Sequence, residues 1–350
     1  MHRAYGQAYP GGMTPDELGA ALDETARGKG MSGTIRIDVE GETVFAGAYG
    51  LADRGHGIPN TTETRFAVAS LSKGFTAIAV MSLVQDGLLS LDTRVRSVLG
   101  SDLPLVDDDV TIEQLLAHTS GIGDYLDEEA DWEVDDYVLT LPVHTLTDVE
   151  AFVPMLDGFP QKTPPGETFQ YNNGGFMLLA LVAQRASGTP FHELVQARVL
   201  DRAGLPHTGY LRTDELPGDA ALGYLYEDPA SLRTNLLHLP IRGSGDGGAF
   251  TTASDISTFW RAFVGGRIVD AATRDLMTAP RNVDEDEDLR YGLGLYLDED
   301  GPGLILTGYD AGVSAWTRHD PQTGLTVTIL SNSSEGAWPV VRRYIDEMEG

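Results

Sequence analysis

Cysteine is absent from the 350-residue chain, which removes disulfides, thiol nucleophiles and Cys-ligated metals from the chemistry it can carry. Lysine is scarce: among 24 basic residues it occurs at Lys29, Lys73 and Lys162 only. No apolar run reaches the ~20 residues that cross a bilayer. The richest stretch, Phe75 to Leu89, is interrupted by Ser82, Gln85, Asp86 and Gly87. Met1 to Thr14 holds a single Arg and no apolar middle, so it does not read as a secretory signal, and a cytoplasmic location is expected unless a leader has been trimmed. Positive charge is also in deficit. With 53 acidic residues and a net charge of −29, the surface repels phosphate backbones, so neither nucleic acid nor an anionic membrane is an expected partner. Such a surface suits a salt-rich cytoplasm and equally a coding bias.

A hydrophobic content of 41% provides a large core, in one domain or two closely joined ones. Thr14, followed by Pro15, Asp16 and Glu17, reads as a helix cap, and Leu18, Leu22 and Ala26 then recur at helical spacing. From Thr34 the period changes to two: Ile35, Ile37 and Val39 alternate with Thr34, Arg36 and Asp38 before Glu40-Gly41 and a second run to Tyr49, which predicts a hairpin. Strand-like runs return at Tyr291–Leu297, Leu304–Thr307, Val313–Arg318 and Leu325–Ser331, and a last helix is expected over Ala337–Glu349. Strands and helices do not alternate in βαβ fashion. The expectation is therefore an α+β fold: one antiparallel sheet built from both chain ends and flanked by helices, with a mainly helical domain inserted. The boundaries are 1–68 with 243–350 for the sheet domain and 69–242 for the helical one, with the site in the cleft between them.

Ser70-Leu71-Ser72-Lys73 opens a helix that is apolar nearly all round through Val84. Residues three apart share a helix face, so the Ser70 hydroxyl and the Lys73 amine come within hydrogen-bond range. A serine hydroxyl needs an adjacent base, and a buried lysine can be neutral enough to serve, whereas arginine cannot. A chain so poor in lysine nevertheless spends one inside an apolar helix, where a permanent charge is expensive. A second element, Pro165 to Asn173, precedes another apolar helix and places Tyr171 and Asn173 two residues apart, a proton carrier beside an amide. Taken alone, a Tyr-x-Asn pair is more often an ordinary turn with a packed tyrosine.

With these elements in order, and with Leu115-Leu116-Ala117-His118-Thr119-Ser120-Gly121-Ile122 between them, the sequence resembles the penicillin-recognising serine hydrolases over about Gly33 to Asn332. Within them it is similar to the branch that holds class C β-lactamases, D-Ala-D-Ala carboxypeptidases, D-aminopeptidases and β-lactamase-like carboxylesterases. The resemblance implies the β-lactamase/transpeptidase-like fold. It assigns Ser70 as nucleophile, Lys73 and Tyr171 as shared base and acid, and Asn173 as a polar orienter. It also implies an oxyanion hole from the backbone N–H groups of Ser70 and Tyr309, and no cofactor or metal. The family's third motif, Lys-Thr-Gly or His-Thr-Gly, falls on Leu306-Thr307-Gly308, counted back from Gly312-Val313-Ser314. Leu306 departs from the pattern because it supplies no cation for a substrate carboxylate, unless Arg242, Arg318 or Arg342 folds into the gap. Small esters, amides or short peptides are the expected substrates. An esterase or amidase leads; a D-aminopeptidase, a D,D-carboxypeptidase or β-lactamase, and a non-catalytic binding or scaffold module are the alternatives.

Other signals carry less. Gly243-Ser244-Gly245-Asp246-Gly247-Gly248 matches a dinucleotide fingerprint in form but lacks the early βαβ unit, and reads as a turn lining the cleft. His118 reads as a structural hydrogen-bonding residue at a helix end, and the remaining histidines show no metal-ligand spacing. No Gly-x-Ser-x-Gly elbow occurs. The acidic run Asp124, Asp127, Glu128, Glu129, Asp131, Glu133, Asp135 and Asp136, interleaved with Tyr125, Trp132 and Tyr137, reads as a solvated loop, or alternatively as a lid over the cleft.

Overall fold

The computed structural model describes residues 12–127 and 137–349. Helix α1 (Pro15–Lys29) begins where expected, because Thr14 and Glu17 close a capping box: the Glu17 amide donates to Thr14 Oγ1 at 3.4 Å and the Thr14 amide donates to the Glu17 carboxylate at 2.8 Å. Gly30, at φ +67°, ends it. Strands β1 (Gly33–Val39) and β2 (Glu42–Tyr49) form the hairpin, joined by Glu40 and Gly41 at φ +51° and +85°. Two successive left-handed residues match the right-handed twist of the strands they join.

The middle of the chain supplies helices α2 (Lys73–Gln85), α3 (Ile112–Leu116), α4 (Asn173–Ser187) and α5 (Ala253–Val264). The sheet then resumes with β3 (Asn282–Asp284), β4 (Leu289–Tyr291), β5 (Tyr296–Leu297), β6 (Leu304–Asp310), β7 (Val313–His319) and β8 (Leu325–Ser331), and α6 (Trp338–Glu349) closes the chain. The eight strands are ordered β2-β1-β8-β7-β6-β5-β4-β3 and antiparallel throughout. β1 lies beside β8, from Gly33 opposite Ser331 to Val39 opposite Leu325, so both chain ends build one α+β sheet.

One departure from the expected pattern, and one burial that the pattern does not decide, have physical causes. The run expected as a strand over Tyr291–Leu297 is split into β4 and β5 by a tight turn at Gly292–Gly294. A Cβ on Gly292 would stand 2.2 Å from the Met277 carbonyl oxygen, and one on Gly294 would stand 2.1 Å from the Ala77 side chain. The polar face of β1 is also not solvent-facing, since Thr34 and Asp38 are both buried. Helix α5 covers that face, and its Trp260 Nε1 donates to Thr317 Oγ1 at 3.1 Å. The buried hydroxyls are satisfied within the sheet, Thr34 on the Gly47 carbonyl at 2.9 Å and Thr317 on that of Val327 at 3.0 Å. On the opposite face Ile35, Ile37, Val327 and Ile329 pack against Leu18 and Leu22 of α1 and Val340 and Tyr344 of α6.

Helix α2 is buried from Lys73 to Leu83, as an all-round apolar helix must be. It lies between α4 and the face of the sheet that carries Leu306, Ala315 and Leu330. Among the described residues no helix is long and apolar enough to cross a membrane.

Candidate active site

Ser70 sits in a single 3-10 turn, Ala69–Ser72, that leads directly into α2. Ala69 is held at φ +43°, a left-handed conformation that costs a non-glycine residue about 1–2 kcal/mol and persists only where the surroundings impose it. They do so from two sides. The Ser72 hydroxyl donates to the Ala69 carbonyl at 2.7 Å and accepts from the Ala249 amide at 3.0 Å. Against the other side lies Gly308, where a Cβ would stand 2.2 Å from the Val68 carbonyl oxygen and 3.0 Å from the Ser70 amide nitrogen. Strand β5 pairs with Leu304 and Ile305 of β6, and the remainder of that edge, from Leu306 to Asp310, passes the Ser70 turn.

Lys73 is 3% exposed, and its Nζ lies 2.7 Å from Ser70 Oγ, 2.7 Å from Asn173 Oδ1 and 2.8 Å from the Asp246 carbonyl oxygen. Asn173 is oriented by Leu126, whose carbonyl accepts from Nδ2 at 3.1 Å and so turns Oδ1 toward the amine. The Asn173 and Asp246 oxygens are carbonyls and accept only, whereas the Ser70 hydroxyl accepts from an ammonium and can donate to the amine once it has given up a proton.

Tyr171 precedes α4 by one capping residue, Asn172, whose side chain accepts from the Gly175 amide at 2.7 Å. The centroid of its ring lies 4.9 Å from Lys73 Nζ, and His118 packs against the ring. His118 is buried and is held well below the ordinary imidazole range by that burial and by the charge of Lys73. It accepts through Nδ1 from the Asn172 amide at 3.0 Å, in line with the structural role expected of it.

Asp124 belongs to the site although the charge pattern placed it in a solvated loop. It is 5% exposed and accepts from the amides of Asn173 at 2.6 Å, Gly174 at 2.8 Å and Leu126 at 3.2 Å. Burial pushes its carboxyl up to about 7, against the pull of those three donors. Its neighbour Tyr125 donates to the Asp246 carboxylate, which burial also raises while the charge of Lys73 lowers it. Glu128, Glu129, Asp131, Glu133, Asp135 and Asp136, the rest of that acidic run, lie outside the described residues.

The structure therefore brings Ser70, Lys73, Tyr171 and Asn173 together, with Thr307, Gly308 and Tyr309 alongside them, and sets Leu306 apart. Strand alternation puts Leu306 on the helix side of β6, 4% exposed and packed against Gly74, and it lines neither cavity. Arg242 and Arg342 also line neither, whereas Arg318 does but is paired bidentately with Asp298 at 2.5 and 3.0 Å. Gly243–Gly248 borders the first cavity, as its reading as a cleft-lining turn anticipated. Among the described residues no group of three or more His, Asp or Glu side chains is arranged to hold a metal ion.

Ser70 and Tyr309 line two cavities at once. The first, of about 360 Å³, has largely apolar walls that include Leu139, Leu216, Leu236 and Phe250, and it contains Asn173 and Asp246. The second, of about 1760 Å³, is open, contains Tyr171 and Thr307, and carries Asp284, Asp286, Glu299, Asp300 and Glu335.

Known proteins share this architecture and part of this sequence. The solved penicillin binding protein from Bacillus halodurans superimposes with a TM-score of 0.86 at 37% identity, covering 93% of this chain and 99% of that one. Esterase EstB of Burkholderia gladioli is 28% identical over 91% of this chain and 90% of its own length. A provisionally named penicillin-binding protein, PbpX of Bacillus subtilis (strain 168), is 28% identical over 77% of this chain, which spans 62% of that protein. Residues 21–348 match the family model described as Beta-lactamase, and the chain belongs to that family.

Proposed function

We propose that this protein hydrolyses esters and amides through an acyl-enzyme on Ser70. The observation that carries the reading is the 2.7 Å approach of Lys73 Nζ to Ser70 Oγ, with the amine held at the same time by the Asn173 and Asp246 carbonyls. Lys73 takes the hydroxyl proton as Oγ attacks the substrate carbonyl carbon. The backbone N–H groups of Ser70 and Tyr309 receive the developing oxyanion, and Tyr171 passes a proton to the leaving atom as the acyl bond breaks and recovers one from Lys73. Water then attacks the ester on Ser70, giving a proton to the same groups, which return it to Ser70 Oγ as the carboxylic acid departs.

Tyr171 lines the larger cavity and Asn173 the smaller one, so the leaving group is assigned to the former and the acyl group to the latter. At roughly 30 Å³ per water-sized volume, the smaller cavity suits an acyl group on the order of ten heavy atoms. In this reading residues 1–68 and 243–350 form the sheet domain, 69–242 form the helical one, and the chemistry runs between them. A relative named as an esterase that aligns along nearly the whole chain supports the choice of reaction.

A fluorophosphonate probe tests the nucleophile. Intact-mass analysis should detect one adduct on the folded protein and none on Ser70→Ala. Equal labelling of the two proteins, or no adduct at all, would count for a binding or scaffold module instead. Lys73→Arg keeps the charge and removes the base, so acylation should slow by about 100-fold or more.

A further inference from the structure

Asp124 and Tyr125 are adjacent in the chain, and their side chains reach two separate segments, each of which hands a carbonyl oxygen to Lys73. Asp124 accepts from the amides of Asn173 and Gly174, the first residues of α4. The next carbonyl along the same loop, from Leu126, accepts from Asn173 Nδ2 and thereby fixes which end of the amide faces the amine. In the other direction the Tyr125 hydroxyl donates to the carboxylate of Asp246, the residue whose backbone oxygen lies 2.8 Å from Lys73 Nζ. The segment around that oxygen is tied to the start of α2, since Thr76 Oγ1 donates to the Gly245 carbonyl at 2.6 Å and, three residues beyond Asp246, the Ala249 amide donates to Ser72 Oγ at 3.0 Å. Tyr125 secures the point between those ties.

We propose that Asp124 and Tyr125 are positioning residues for Lys73, a two-armed clamp that holds the Asn173 and Asp246 carbonyls in place and so keeps the amine directed at Ser70. The inference rests on Lys73 being the base of the proposed reaction. Neither clamp residue exchanges a proton with substrate. Loosening either carbonyl lets the amine rotate away from Oγ, which slows acylation. Tyr125 also lines the first cavity whereas Asp124 lines neither, so the Asp124 arm separates positioning of the amine from substrate binding. A displacement of the reacting groups by about 1 Å is enough to cost on the order of 100-fold in rate.

The test is single-turnover acylation by a short-chain p-nitrophenyl ester, measured on the full chain as a function of ester concentration. Tyr125→Phe keeps the ring and removes the hydroxyl. Asp124→Asn keeps the shape and loses one of the two acceptor oxygens. Each is expected to lower the limiting acylation rate about ten-fold, and Asp124→Asn, which lines neither cavity, to leave the half-saturating concentration unchanged. Because both arms act on one amine, the double variant should lose at least three-fold less than the product of the single losses. Tyr125→Phe preserves the packing, so it keeps the inference testable if Asp124→Asn fails to fold.

Lys73→Arg is measured alongside. If Lys73→Arg is inactive while Tyr125→Phe acylates at the unmodified rate, or if the single losses simply multiply, the clamp is overturned and the base assignment stands. An active Lys73→Arg overturns the base assignment, and the clamp falls with it.

Discussion

The imidazole of His118 lies against the phenol ring of Tyr171, centroids 4.4 Å apart and planes inclined by 33°. The same residue brackets Tyr171 along the backbone. Its carbonyl accepts from the Gln170 amide at 2.8 Å and its Nδ1 from the Asn172 amide at 3.0 Å. With Nδ1 accepting, the neutral ring carries its proton on Nε2. His118→Phe should preserve the ring contact but strand the Asn172 N–H, at a cost of about 1–3 kcal/mol, and lower kcat by about ten-fold as Tyr171 loosens. His118→Asn offers an acceptor again and tolerates the φ of +56° at this position, so it should recover more of kcat than of stability. Thermal melts and ester turnover on both variants check this. A His118→Phe variant with normal kcat would reduce the histidine to packing.

Gly308 is required for a different reason, since the atoms a side chain there would strike belong to the turn that carries Ser70. In Gly308→Ala the new Cβ would meet the Val68 carbonyl oxygen at 2.2 Å, the Leu71 amide at 2.9 Å and the Ser70 amide at 3.0 Å, all of them backbone atoms. Either β6 or the turn must move. The expected result is an acylation rate lower by about 100-fold and a stability loss of about 1–3 kcal/mol. Gly209→Ala, which meets nothing within 4 Å, is the control and should stay within about 0.5 kcal/mol of the unmodified protein with unchanged activity. Full acylation activity in Gly308→Ala would mean that this approach does not shape the site.

What was legible in the sequence was local. The Thr14–Glu17 capping box, the hairpin turn at Glu40-Gly41 and the Ser70–Lys73 pair each lie within a few residues of chain, where spacing alone fixes the geometry. Asp124 escaped because its partners are about fifty residues further on, at the start of α4, and nothing in an acidic run marks which carboxylate meets a helix N-terminus. The burial of Thr34 and Asp38 escaped likewise, since a period of two identifies two faces of a strand without revealing that α5 covers the polar one. For Leu306 the motif fixes the position in the chain but not the face of β6 on which the side chain lies, and that face is packed against Gly74.

The carboxyl of Asp124 gives the site a pH signature. Its ordinary value is 3.8 and in the folded protein it rises to about 7, so between these limits the folded state holds a proton that the unfolded chain releases. The stability it contributes is therefore present in full below about pH 4 and is lost as the pH rises through 7, with a slope of at most about 1.4 kcal/mol per pH unit. Asp124→Asn removes that dependence. Urea unfolding of both proteins at pH 5, 6, 7 and 8 should show the unmodified protein losing ground to the variant as pH rises. The oppositely directed contribution of His118 is common to both and cancels in the difference. A difference that stays flat from pH 5 to 8 would mean the carboxyl is already ionised at pH 5.

The surroundings of Ser70 also set which substrates are favoured. Among the described residues Arg318 is the one basic side chain lining the two cavities, and Asp298 already holds it in a bidentate pair. The open cavity on the Tyr171 side is otherwise acidic, with Asp284, Asp286, Glu299, Asp300 and Glu335 on its walls. A leaving group that ends in a carboxylate finds no free cation there and is repelled. Losing one charge-assisted hydrogen bond of about 1.5–3 kcal/mol corresponds to roughly ten- to a hundred-fold in rate. A neutral p-nitrophenyl ester should therefore turn over faster than a cephalosporin or a D-Ala-D-Ala peptide. The C-terminally amidated peptide should outpace the free acid by about ten-fold, and added salt should narrow that gap by screening the walls. Leu306→Lys should not reverse the order, because the side chain at this position points into the packing beside Gly74, where an unpaired ammonium destabilises the fold by about 3 kcal/mol or more. Faster hydrolysis of the free-acid peptide than of its amide would sink this account, as would a stable Leu306→Lys protein that gains activity on the cephalosporin.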